Sequence, residues 1–367
     1  MRYRDTLLIV ASALCVLNQA TLSQPRWTTS ATPTVEIAAT SPVGDVQFEF
    51  AASATRLPSG EIVVAEGSAG ALGVFNASGR PARTVGRRGA GPGEFQYVSW
   101  IGQCGDTVVA WDFVQRRFSF LNDSARVIRQ TAPVTGAIPF TVACSRRASL
   151  IAAHAWGSPP RPGTAPMFRY QAPLVFLDHN ATIAKQIDSV ASGEMAIIGG
   201  GAGPRPLGKY THLAMSSTAL YVSTGDSAVI QVYGHSGASL GAIRTNVARA
   251  EPSQRQVDLA IEAAIAFGPK PLRDRLRPAM QALERPRQLP PFSGLLVDAL
   301  DILWVVLSFP GEGATRLRAL DSQGGTLGEV HIPADLRVFE IGRDYILGLH
   351  ETAEGEQFIR LYELRRA

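Results

Sequence analysis

Six positions attract attention first, because equivalent places in six recurring units carry residues able to do chemistry. They are Glu66, Asp112, His154, Thr224, Leu307 and His350, each closing the second β-strand of its unit. Two carboxylates and two imidazoles gathered on one face could hold a divalent cation, since oxygen and imidazole donors suit such ions. They could equally divide the roles of acid and base in proton transfer. The candidate ligand-binding ring, and the only candidate metal ligands, are therefore Glu66, Asp112, His154 and His350. A plainer alternative is that each side chain satisfies the loop following its own strand. The rest of the chain has no His-x-x-x-His pair, no Gly-x-Ser-x-Gly elbow, no phosphate loop and no cysteine cluster of metal spacing. The glycine-rich run at 199–204 leads into Arg205-Pro206 rather than a helix start, and reads as a degenerate linker between units.

The elements that would position this ring come from laying the chain against itself. A polar turn is followed by a short β-favouring run in Leu57-Pro-Ser-Gly-Glu-Ile-Val-Val-Ala-Glu66 and again in Gly105-Asp-Thr-Val-Val-Ala-Trp-Asp112. Similar runs end at His154, Thr224, Leu307 and His350. A third strand then leads to Asn76-Ala-Ser-Gly, Asn122-Asp-Ser, Asp178-His-Asn, Gly234-His-Ser-Gly and Asp321-Ser-Gln-Gly. These residues tolerate the left-handed conformation that hairpin turns need. A fourth strand follows, as in Pro81-Ala-Arg-Thr-Val. Six such units, each roughly 40 to 80 residues long, predict an all-β six-bladed propeller of four-stranded antiparallel blades. The sixth unit ends without room for a fourth strand, so 34–39 is expected to pair with 358–364 and close the last blade. Residues 251–287 break the pattern. Ser253 and Gln256 can form a capping box, and Val257, Ile261, Ala264 and Ile265 share a helical face. A helical insert between blades four and five is expected, with Pro278 kinking or dividing its second half. Residues 157–173 read as a long loop in the third unit.

Composition agrees with this architecture. The chain is 46% hydrophobic and only 18% charged, with 35 Gly and 24 Pro, which fits short strands and tight turns better than long surface helices. The net charge of +4 comes from scattered Arg and gives no nucleic-acid stripe. Arg273, Arg275, Arg277, Arg285 and Arg287 make the insert basic, which suits a solvated face or an acidic partner. Residues 1–24 have a basic start and an apolar run of about 12 residues, too short to span a bilayer, and predict a cleaved signal peptide. Residues 25–367 then form one domain outside the cytoplasm, periplasmic or extracellular, with no membrane span. Cys104 and Cys144 fall at equivalent places on neighbouring blades, where they form either a disulfide or two buried thiols. Trp111 and Trp304 are expected in the core, and His179, His212, His235 and His331 beside turns in solvent.

One stretch, Val85-Gly-Arg-Arg-Gly-Ala-Gly-Pro-Gly-Glu-Phe95, resembles the inter-blade linker of NHL repeats. The match continues through Ile101, Gly105-Asp106, Val108-Val109-Ala110, Asp112, Arg116 and Phe120, about one blade, while the other units share only its hydrophobic skeleton. The resemblance implies a six-bladed propeller, with Phe95 plugging between blades and Asp112 pairing with Arg116. NHL-like propellers include binders, lyases and lactonase relatives. The sequence therefore points to a binding or scaffolding propeller that presents one face to a protein, peptide or glycan, with no required cofactor. The alternative is a metal-dependent enzyme of lyase or lactonase type using the ring.

Overall fold

The computed structural model describes residues 27–38, 50–67, 69–136, 138–145, 148–155, 167–265, 270–333, 335–352 and 354–366. The predicted export segment and much of the Pro/Gly-rich loop lie outside the described residues. What is described is an all-β chain with two helices. Five sheets have four strands each in simple sequence order. Their first strands are Ala51–Arg56, Val98–Cys104, Pro139–Ser145, His212–Met215 and Gly294–Val297. A sixth sheet holds Arg337–Ile341, Tyr345–Glu351 and Gln357–Arg365.

The turn chemistry recurs from sheet to sheet. Asn76 Oδ1 accepts the amides of Ser78 and Arg80, each at 3.0 Å. Asn122, Asp178 and Asp321 do the same two and four residues on. Such side-chain turns fix the hairpin between third and fourth strands.

Each sheet buries both faces against its neighbours. Ile62, Val64 and Phe75 of the first sheet pack on Leu347, Leu349 and Ile359 of the sixth, while Val63, Ala65 and Val74 pack on Ile101, Val108 and Ala110 of the second. This explains why the second strand, Ile62–Glu66, is buried at every position rather than alternating. First strands meet first strands from each sheet to the next, and Arg337–Ile341 also meets Ala51–Arg56. Phe95 is fully buried between the first and second sheets. Gly86 makes room for it, since a Cβ there would lie 2.4 Å from the Phe95 ring.

At the N-terminal end, Val35–Ala38 pairs antiparallel with the last strand, from Val35↔Leu361 to Ala38↔Phe358. A second piece, Thr28–Thr29, pairs further along the same strand and had no sequence signal. Nearby, Arg366 reaches between Trp27 and Trp304 to the buried Asp298, 2.8 Å away. Asp298 also accepts the amides of Leu300 and Ile302 and the Trp304 indole. Cys104 and Cys144 are disulfide-bonded across the ends of two neighbouring first strands. Trp111 and Trp304 are both fully buried.

The insert differs in detail from expectation. Helix α1, Gln254–Ile265, starts with the capping box: Ser253 N–H donates to Gln256 Oε1 at 2.9 Å, and Gln256 N–H to Ser253 Oγ at 3.2 Å. Helix α2, Lys270–Gln281, keeps Pro278 inside it undivided. Residues 199–204 are not a linker copy. Gly199 and Gly200, both at positive φ, turn a hairpin of Met195–Ile198 and Gly201–Pro204, which Met167–Phe168 extends to three strands. Ala196 and Ile198 from this small sheet share a core with Ile261, Ile265 and Met280 of the helices. The amphipathic helices thus bury their apolar stripe on an accessory sheet that period-two reasoning missed, because its strands are short and rich in glycine.

Candidate functional site

The predicted ring residues do lie at one end of their sheets. Glu66 pairs with Ala51, Asp112 with Val98 and His154 with Thr141, so each sits beside the start of a first strand. Four of the six first strands carry a register shift there, at Ala51/Ser53, Val98/Trp100, Pro139/Thr141 and Val338/Glu340. Bulges of this kind re-aim side chains at the end of a sheet. The accessory sheet and both helices leave from the same end, since they occupy the links into the fourth and fifth sheets and the second-to-third-strand link of the third.

The candidate ring itself is spent on local structure. Glu66 is fully buried; its Oε1 accepts the Phe50 amide at 2.9 Å, and Oε2 accepts the Ala69 amide. Asp112 is buried and accepts the amides of Gln96 (2.6 Å), Tyr97 (3.3 Å) and Gln115 (2.9 Å). These amide bonds take the place of the Arg116 pairing that the family resemblance implies; Arg116 stands in the left-handed region, and its carbonyl accepts the Val134 amide. His154 is 2% exposed, hydrogen-bonds the Val190 backbone and leaves Nε2 without a partner. Burial lowers its pKa to about 4, so it is neutral at pH 7. His350 bonds through Nδ1 to the Asp335 carbonyl at 2.9 Å. Thr224 bonds to Asp226, and Leu307 is buried. Among the described residues no three His, Cys, Asp or Glu side chains converge as metal ligands. The four candidates are neighbours by register but are not brought together as one ligand set.

What the same end offers is an aromatic and cationic mouth. Phe50 and Tyr97 immediately precede the first strands of the first and second sheets. Both rings pack on Gly67, where a Cβ would lie 2.9 Å from Tyr97 and 3.1 Å from Phe50. Arg337, which opens the sixth sheet's first strand, stands 5.9 Å from the Phe50 ring centre and 5.1 Å from that of Phe339. Its Nη2 donates to the carbonyls of Ala51 (2.7 Å) and Ala52 (3.4 Å). By surface area Arg337 is exposed, yet desolvation lowers its pKa from the usual arginine value, while Glu351 and Tyr97 pull the other way. Burial likewise raises the Tyr97 pKa, with Arg337 opposing and Glu66 reinforcing. Phe140, at the third bulge, is 52% exposed.

The half of this end over the third and fourth sheets is built differently. Arg169 grips Asp226 with both carboxylate oxygens at 2.9 Å, and Lys209 joins at 3.1 Å. His212, expected in solvent beside a turn, instead opens the fourth sheet's first strand; burial there lowers its pKa to about 4. His235 stands at a turn as expected, at the opposite end of the fourth sheet, with Nε2 3.2 Å from the Ser216 carbonyl and its ring edge-on to Phe176.

No protein-family model and no curated protein matches this chain. Among solved structures, a member of the DUF4221 family from Bacteroides vulgatus aligns over 94% of this chain and 100% of its own, with TM-score 0.53 at 11% identity. The chain has a β-propeller fold. Looser likenesses are a putative exported protein from Bacteroides fragilis (TM-score 0.48, 13% identity, 92% and 97% covered) and virginiamycin B lyase from Staphylococcus aureus (0.40, 11%, 94% and 96%). At such identities the likeness concerns fold alone.

Two clefts lie away from that mouth. One of about 660 Å³ runs between the outer strands of the first two sheets, past Glu61, Arg83 and Arg126. Another of about 240 Å³ lies against the helices, with Val257, Ile261 and Met280 as its floor. Neither contains a ring residue. The missed residues, Phe50, Tyr97 and Arg337, had one usable signal: each stands at or just before the start of a first strand.

Proposed function

We propose that this chain is an exported binding module: a propeller of six blades, closed by Val35–Ala38, that presents the mouth at the starts of its first strands to a protein, peptide or glycan. One contrast carries this. The carboxylates of Glu66 and Asp112 are already bonded to loop amides, so they are poorly placed to take a metal or a proton. The same end displays Arg337, Phe50, Tyr97 and Phe339, a combination that recognises ligands without transforming them. Export is supported by the basic-then-apolar start of the sequence and by a disulfide that persists in oxidising compartments. Among the described residues no helix is long and apolar enough to cross a membrane.

The test is to probe glycan and peptide arrays with the mature chain and with Phe50→Ala and Tyr97→Ala. Captured ligands should be lost in both variants. Binding unaffected by either substitution would remove the mouth from consideration. Stoichiometric metal in the purified protein, lost in His350→Ala, would favour the metal-dependent enzyme instead.

A further inference from the structure

We propose that the Arg337 mouth takes the carboxylate groups of an acidic glycan. This rests on the binding role above and narrows it to a ligand chemistry. The starting point is how little of the Arg337 guanidinium the protein itself uses. Nη2 bonds two carbonyls, and Glu351 acts on it only through space. Among the described residues no carboxylate forms an ion pair with it, and Nε and Nη1 are neither bonded nor sealed from water. Other arginines of the chain do have a counter-charge at hand: Arg83 has Glu61 at 2.6 Å, Arg360 has Glu36 at 2.7 Å and Arg169 has Asp226. A guanidinium held by carbonyls is aimed but not neutralised. Its remaining fork of donors matches one carboxylate.

The surroundings choose the body of the ligand. Phe50 and Phe339 flank the guanidinium, and Tyr97 shares Gly67 with Phe50. The Tyr97 hydroxyl has no partner among the described residues and is not sealed off, so it can donate to a ligand oxygen. Ring faces carry negative charge at their centre, which suits the weakly positive C–H face of a sugar. An extended peptide would instead need free backbone groups along a strand edge. Those of Ala51 are taken, the carbonyl by Arg337 and the amide by Gln357 Oε1 at 3.1 Å. Sugar carboxylates need no such edge.

Calorimetric titration with trigalacturonic acid, its methyl ester and tetraglutamate tests this on the mature chain. The acid should bind about ten-fold more tightly than the ester, the worth of one charge-assisted pair. Arg337→Gln should bring the acid down to the ester's level, and Arg337→Lys, which keeps the charge but loses the fork, should fall between them. The lysine variant also guards against misfolding, which would abolish all three. Retention of the acid preference in folded Arg337→Gln overturns the assignment. Tetraglutamate bound as tightly as the acid, and lost in the same variant, overturns the glycan in favour of a peptide. Equal binding of acid and ester, both lost in Phe50→Ala, overturns the acidic ligand but leaves the binding role standing. If the wild type binds none of the probes and the arrays are blank, both fall.

Discussion

The two halves of the mouth use the same residue types to opposite ends. Over the third and fourth sheets, Arg169 and Lys209 converge on Asp226, and Arg205 meets Glu194 at 3.3 Å. The accessory sheet and helices sit on this side, and the cations knit them to the propeller. Around the sixth, first and second sheets Arg337 has carbonyls and aromatic rings but, among the described residues, no carboxylate. An arginine whose counter-charge comes from its own chain fixes structure. One held in place without that counter-charge is left to attract it from outside.

Acidification should separate the halves most strongly. His154 and His212 both belong to the braced side, and burial lowers each pKa from 6.5 to about 4. With the folded value below the unfolded one, their contribution is complete above pH 6.5. It is lost as pH falls towards 4, because the unfolded chain then gains protons the fold refuses. Together this costs at most about 7 kcal/mol, on the order of 1.4 per pKa unit for each group. Urea midpoints measured from pH 7 to 4 should fall across that window, with His212→Gln flattening the slope. A flat wild-type profile would mean that the imidazoles are solvated and the braced side is looser than described.

Truncating the accessory core comes next. Ile261 is 2% exposed between α1 and the small sheet, and Ile261→Ala should cost about 3 kcal/mol. The loss should be confined to the module, seen as a separate low-temperature transition in calorimetry while the propeller melts unchanged. A single shifted transition would show the module and propeller to be one cooperative unit.

On the open side, Gly67→Ala pushes a methyl group into Tyr97 and Phe50. Overpacking of this kind costs about 1–2 kcal/mol. The expected signature is weaker array binding with a melting temperature lowered by only a few degrees. Wild-type binding would mean that the positions of the two rings do not matter.

How much of this was legible in the sequence follows the physics of each part. The repeat was readable because Asn76, Asn122, Asp178 and Asp321 impose the same turn by bonds two and four residues away. Local chemistry of that kind survives in the sequence. The pairing of Val35–Ala38 with the last strand followed from counting strands, and the disulfide stood as one of two readings of the aligned cysteines. The ring failed as a site because alignment reports position and not occupancy: Glu66 and Asp112 stand where expected, with amides already in place. Arg337 was invisible because its role depends on residues nearly three hundred positions away, at Phe50 to Ala52. Gly199 to Pro204 misled because a glycine turn looks the same in a hairpin as in a linker.

The smallest effect tests whether the braced side depends on its own local signals. Ser253 Oγ accepts the Gln256 amide, and Gln256 returns the bond to the Ser253 amide. Ser253→Ala removes one half of that exchange and should cost about 1 kcal/mol. The capping box lies on the surface, and α1 is also held by Ile261 and Ile265 in the accessory core. The change should therefore fray only the first turn. Amide hydrogen exchange should quicken across the first turn of α1 and stay constant in Ala51–Arg56 and Arg337–Ile341. Exchange that quickened at Arg337 as well would mean that the insert supports the open side across the mouth, and the two halves would have to be treated as a single site.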